Sequence, residues 1–200
     1  MMQGASCAKN EPFYISPENA VSASQREAAI VTKEGKYTVA GTTGAGPCYI
    51  IGMYSEGTAA VFHLDGSEDF SLLSMTAYEM HKVSHSPIQM HLRGGQDLDG
   101  LSKIFDELFP FLKDGSIKLC SAEIMKGKTA SFAIDAKTGK TSEVSWRQMD
   151  DSLEKTKMEI SELYMQNQPI RIVYDGRMER EGKPYKPKSF FAKGMKKPHP

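Results

Sequence analysis

Residues 42–48 read TTGAGPC, and His63 follows fifteen positions after the cysteine in the stretch FHLDG. A free cysteine titrates near 8.5, and an adjacent imidazolium lowers that value, so Cys48 beside His63 would carry thiolate at neutral pH. The glycines of Thr42-Thr43-Gly44-Ala45-Gly46 let backbone N–H groups approach a ligand closely. Such donors are what the oxyanion of a tetrahedral intermediate requires. Pro47 has no N–H to offer, which leaves that of Cys48 itself. Thiol, imidazole and amide donors together point to acyl transfer through a thioester. Packing is the competing reading, because a lone cysteine in an apolar strand behaves as a small hydrophobe.

The chemistry depends on how the chain brings the two residues together. CYIIGMY and TAAVFHL are apolar on both faces, as strands buried between two layers are. If Tyr54-Ser55-Glu56-Gly57 is a four-residue hairpin loop, Met53 pairs with Thr58 and Cys48 falls directly opposite His63. Directly opposed residues have Cβ atoms about 4.5–5.5 Å apart. A three-residue loop would instead place them on opposite faces of the sheet.

Around this ribbon, REAAIVTK and KYTVAG read as strands joined by a turn at Glu34-Gly35. Residues 67–82 read as a helix with Phe70, Leu73, Ala77 and Met80 on one stripe and Ser67 as N-cap. A second helix, capped by Asp99, keeps Leu101, Ile104, Phe105 and Leu108 at helical spacing. A third fits residues 151–165. PIQMHL (87–92), IKLCSAEIM (117–125), TASFAIDA (129–136), TSEVSW and PIRIVYD (169–175) read as strands. Strands interleaved with helices around a hairpin-rich core predict an α/β or α+β layered sandwich, its sheet mixed but largely antiparallel, with helices packed on it.

Residues 1–24 are polar and set apart as an N-terminal arm, 25–175 as a single catalytic-type domain, and 176–200 as a basic, proline-containing tail. The tail holds eight Lys/Arg against two Glu, a solvated extension or a docking arm for an acidic partner. Net charge over 200 residues is zero, so the chain has no overall pull toward nucleic acid or membrane. No apolar run approaches the roughly 18 residues that span a bilayer, and the first residues lack a signal-peptide pattern. Three cysteines without a CxxC argue against a disulfide framework or zinc ribbon. A reduced, cytoplasmic setting is expected, with export by a signal-less route as the alternative.

TTGAGPC resembles the TxGxGSC signature of chemoreceptor glutamine deamidases, and the Cys-to-His distance also resembles that of cytotoxic-necrotizing-factor type deamidating toxins. A longer resemblance is to the protein N-terminal asparagine amidohydrolases. Its blocks are Gln25-Arg26-Glu27, His63-Leu64-Asp65-Gly66, His91-Leu92-Arg93-Gly94-Gly95, Cys120-Ser121-Ala122-Glu123 and Val173-Tyr174-Asp175, in order over residues 25–185. The resemblance implies hydrolysis of the side-chain amide of an N-terminal asparagine to aspartate and ammonia. It implies Cys48 as nucleophile, His63 as the base that later protonates ammonia, and Thr42 as the hydroxyl that orients imidazole or thiol. The α-ammonium of such a substrate needs a carboxylate; Glu27 and Glu123 rank first, then Asp65. Pro47 departs from the family pattern, where a small hydroxyl residue stands.

No cofactor and no metal are expected. His81, His85 and His91 are the rival metal set, but Lys82 stands where the zincin motif needs Glu. TTGAGP lacks both GxxxxGK and GxGxxG, so nucleotide binding is weaker still. The expected partner is a protein or peptide bearing Asn or Gln. A glutamine deamidase acting within a protein and a non-catalytic binding relative are the alternatives.

Overall fold

The computed structural model describes residues 7, 11–84, 86–95, 98–124, 128–150 and 169–180. The third helix expected over 151–165, His85, and most of the basic tail lie outside them. Among the described residues ten strands carry the fold: β1 Ala20–Ser22, β2 Glu27–Thr32, β3 Val39–Ala45, β4 Tyr49–Ser55, β5 Thr58–Leu64, β6 Ile88–Gly94, β7 Ile117–Glu123, β8 Ala130–Asp135, β9 Thr141–Ser142 and β10 Arg171–Asp175. The helices are α1 Ser71–Val83, α2 Leu98–Lys113 and the short α3 Gly176–Arg180. Strands order as β10-β2-β5-β4-β6-β7 in a six-stranded sheet and as β1-β3-β8-β9 in a four-stranded one. The protein is an α+β sandwich, as the pattern of elements predicts.

Three apolar layers explain the strand sequences. Ala28, Ile30, Ile51, Phe62 and Met90 meet Leu73, Ala77, Ile104 and Leu108 of α1 and α2 on one face of the larger sheet. Ala29, Val31, Ile50 and Val61 meet Ala45, Phe132 and Ile134 of the smaller sheet on the other. Covered on both faces, β2, β4 and β5 read as continuous apolar runs rather than as alternation. Ile15, Ala20, Val39, Val144 and Met149 close the outer face of the smaller sheet. Part of the segment set apart as an arm is thus built into the fold, with β1 running parallel to β3.

Several local expectations are corrected. The turn at Glu34-Gly35 does not join a paired hairpin, since β2 and β3 belong to different sheets. The hairpin between β4 and β5 has two loop residues rather than four, with Ser55 paired to Thr58. Glu56 (φ 37°) and Gly57 (φ 88°) both take the left-handed conformation that a tight two-residue turn requires. Helix α1 begins at Ser71 with Phe70 as its cap residue and no side-chain cap bond. Ser67 instead bonds Asp65 and Arg26 in the preceding loop. Against the reading of three reduced cysteines, Cys7 and Cys120 form a disulfide that ties the N-terminal segment to β7, leaving Cys48 free.

Candidate active site

Shortening the hairpin moves the register by two residues. His63 pairs with Ile50, and Tyr49 with Leu64, so Cys48 is not directly opposite His63. An even shift preserves the face. Cys48 packs with Ile50 and Val61 in the layer between the sheets, and His63 follows Val61 at the strand period. Thiol and imidazole are therefore diagonal neighbours on one face, a relation that sets the residues about 7–8 Å apart and their Cβ atoms somewhat closer. Cys48 Sγ makes no hydrogen bond to the ring among the described residues.

Thr42 reaches the ring from the other sheet. Its Oγ1 lies 2.8 Å from His63 Nδ1, and both residues are buried. With Nδ1–H donating to the threonine oxygen, Nε2 keeps its lone pair free to take a proton. The segment expected as a glycine loop is strand as far as Ala45, with a register shift between Thr42 and Ala45 where Gly44 has φ 74°. Only Gly46 and Pro47 link that strand to Cys48. On the far side, Gly95 N–H donates to the Cys48 carbonyl at 2.8 Å. A Cβ at Gly94, which also has positive φ, would fall 2.5 Å from that carbonyl oxygen. The paired glycines at the end of β6 thus let its backbone close on the cysteine.

Burial favours the neutral forms of both Cys48 and His63, contrary to the expected thiolate–imidazolium pair. Burial, followed by the charges of Asp65 and Glu68, pushes the Cys48 thiol up to about 11, although the Arg26 charge pulls the other way. Burial pushes His63 down to about 4 against the favourable charge of Asp65. Desolvation outweighs the attraction because both charged forms would sit between two sheets without water.

The three candidate carboxylates are differently engaged. Glu27 pairs with Arg171 and accepts the Ser24 N–H at 2.7 Å. Asp65 accepts from Arg26 Nε at 2.6 Å, Gln25 Nε2 at 3.0 Å and the Ser67 N–H at 3.0 Å. Burial alone would raise its carboxyl, but bonds from Arg26, Ser67 and Gln25 bring it down to about 2. Glu123 is exposed on β7, two strands from Cys48, which is roughly 10 Å at the spacing of neighbouring strands. Arg26 is buried with φ 62°, a strained conformation for a side chain of its size, and its N–H holds the His63 carbonyl at 2.7 Å.

Two groups that sequence reasoning did not single out belong to this neighbourhood. Glu68 is buried and accepts the N–H groups of Asp65 and Gly66 at 2.7 and 2.9 Å. Burial, with a smaller part from the Asp65 charge, raises its carboxyl to about 6 despite those bonds. Its place three residues after Asp65 in DGSE was the available signal. Arg93 carried none beyond its block. It stands level with Ile50 on β6, and the partners Arg171, Glu27, His63, Ile50, Arg93 and Glu123 form one row across the larger sheet.

The Arg93 guanidinium carbon lies 5.2 Å from the centre of the Phe132 ring, and Nη1 donates to the Ser131 carbonyl at 3.4 Å. No carboxylate is in ion-pair range among the described residues. A buried cation over a ring gains about 2 kcal/mol, less than the several kcal/mol that burying a charge costs. His91, two residues earlier, shares Nδ1 with Ser121 Oγ at 2.9 Å, while its buried Nε2 has no partner. Burial, then the Arg93 charge, lowers the ring to about 4.

Among the described residues no three His, Cys, Asp or Glu side chains are arranged to hold a metal ion, and no helix is long and apolar enough to cross a membrane. A surface cleft lined by Glu68, Asp69, Phe70, Lys103, Asp106 and Glu107 does not include Cys48 or His63. No protein-family model and no curated protein matches the sequence.

Proposed function

We propose that the protein is a cysteine-dependent amidohydrolase that deamidates N-terminal asparagine in a protein or peptide. The carrying observation is the Thr42–His63 hydrogen bond, made across the two sheets on the face that also holds Cys48. A hydroxyl that fixes Nδ1 leaves Nε2 as base, which is what a neutral thiol needs. The Cys48 proton passes to Nε2 as sulfur attacks the amide carbon. His63 returns it to the departing nitrogen, which leaves as ammonia. Water, deprotonated by the same nitrogen, then opens the thioester to aspartate and regenerates the thiol. The ordered sequence blocks around Cys48 support asparagine as the residue attacked.

A second reading, deamidation of glutamine within a protein, has one observation in its favour. Glu27 and Asp65 already carry cationic partners, and Glu123 is two strands away, so none of the three waits beside Cys48 for an α-ammonium. Ammonia release from peptides with free N-terminal Asn, acetylated Asn and internal Gln separates the two, with Cys48→Ser as blank. Release from free Asn alone supports the first reading. Release from internal Gln supports the second, and release from none removes both.

A further inference from the structure

On one face of β6 stand the Arg93 guanidinium and the His91 ring, whose buried Nε2 is without a partner among the described residues. Among the described residues the guanidinium meets only a main-chain carbonyl and an aromatic face, and both side chains are more than nine-tenths buried. The two side chains lie against the same ring, since the centre of His91 is 5.8 Å from that of Phe132. An anion at Nε2, the buried atom without a partner, selects the tautomer in which the Ser121 hydroxyl donates to Nδ1 and Nε2 carries the proton. Arg93 supplies one permanent charge and a planar fork, whose geometry matches two carboxylate oxygens.

We infer that His91 and Arg93 form a subsite for a single carboxylate at the β6 side of the layer between the sheets. One cation and one neutral donor fit a monoanion better than a phosphate. The subsite adjoins the cysteine: continuing the β4–β6 ladder one step sets Cys48 level with Gly95, which makes Arg93 its diagonal neighbour as His63 is on the other flank. A carboxylate held there belongs either to the substrate chain or to a free small acid. Glu123, level with Arg93 on β7 but outside ion-pair range, puts a carboxylate on the flank of the subsite.

The inference goes beyond the deamidase reading, and its test needs no turnover, so each can fail without the other. The full chain, with 15N-labelled histidine, is titrated at constant ionic strength with acetate and with acetamide. A blocked peptide bearing one Glu and its Ala counterpart are titrated in parallel. Acetate should shift the His91 Nε2 resonance saturably while acetamide leaves it in place. Glu123→Gln should tighten binding by removing a flanking negative charge, and Arg93→Gln should weaken it about tenfold or more. A response to both acetate and the Glu peptide marks a site open to free acids. A response to the Glu peptide alone marks a carboxylate delivered by the substrate. If His91 responds to neither, or to acetamide as to acetate, the subsite does not exist. The wild-type titrations and Glu123→Gln decide the matter even where Arg93→Gln does not fold.

Discussion

Thr42 and His63 belong to different sheets, and the 2.8 Å contact between Oγ1 and Nδ1 is the polar link that joins them at the candidate site. Thr42→Val keeps the shape of the side chain but strands a buried ring nitrogen, at a cost of about 1–3 kcal/mol. Urea unfolding should report that loss, and Thr42→Ser should recover most of it. If the deamidase reading holds, ammonia release should fall at least tenfold in Thr42→Val and return in Thr42→Ser. Equal stability of Val and Thr variants would mean that the hydroxyl orients nothing.

With Cys7 and Cys120 joined and Cys48 held near 11, alkylation has one target and a slow one. At pH 7 only about one thiol in ten thousand is ionised. Under non-reducing conditions iodoacetamide should label Cys48 alone, more slowly than free cysteine, with a rate rising about tenfold per pH unit toward 11. Glu68→Gln removes a nearby negative charge and should speed labelling. Rapid labelling at neutral pH would show that the thiol is ionised after all.

The two buried histidines set the acid limit of stability. His63 and His91 are held near 4 in the folded chain against an ordinary 6.5. The unfolded chain therefore binds more protons between those values, and stability falls as pH drops from 6.5 toward 4. Each ring is worth on the order of 3 kcal/mol at the low end. Glu68, raised from 4.5 to about 6, acts in the opposite sense and gains stability as pH falls through that window. The net expectation is a loss of unfolding free energy between pH 7.5 and 5 that shrinks in His63→Gln and in His91→Gln. A flat profile would contradict it.

Asp65 and Arg26 are paired at 2.6 Å with the guanidinium almost wholly buried. Removing one partner leaves a buried charge less well compensated, so Asp65→Ala should cost up to about 3–5 kcal/mol. Arg26→Met with Asp65→Ala should cost less than the two single changes summed, as a double-mutant cycle on unfolding free energies would reveal. Strict additivity would mean that the pair contributes no coupling.

Much of the fold was legible in the chain. The apolar runs CYIIGMY (48–54) and TAAVFHL (58–64) marked strands covered on both faces, and the stripe through Leu73, Ala77 and Met80 marked a helix packed on one side. TTGAGPC and the histidine fifteen residues later named the candidate site because those residue types carry chemistry wherever they are placed.

What the chain alone could not settle was distance. The loop length at Glu56-Gly57 depends on which residues accept positive φ, and that choice moved His63 from opposite Cys48 to opposite Ile50. Whether the pair is ionised depends on burial, which is a property of both sheets together; the sequence suggested thiolate and the packing holds it neutral. Thr42 meets His63 only because one sheet is laid on another. Local pattern fixed which residues could act, and long-range packing decided which of them touch, because side-chain type is written residue by residue while solvent exclusion is shared across the whole layer.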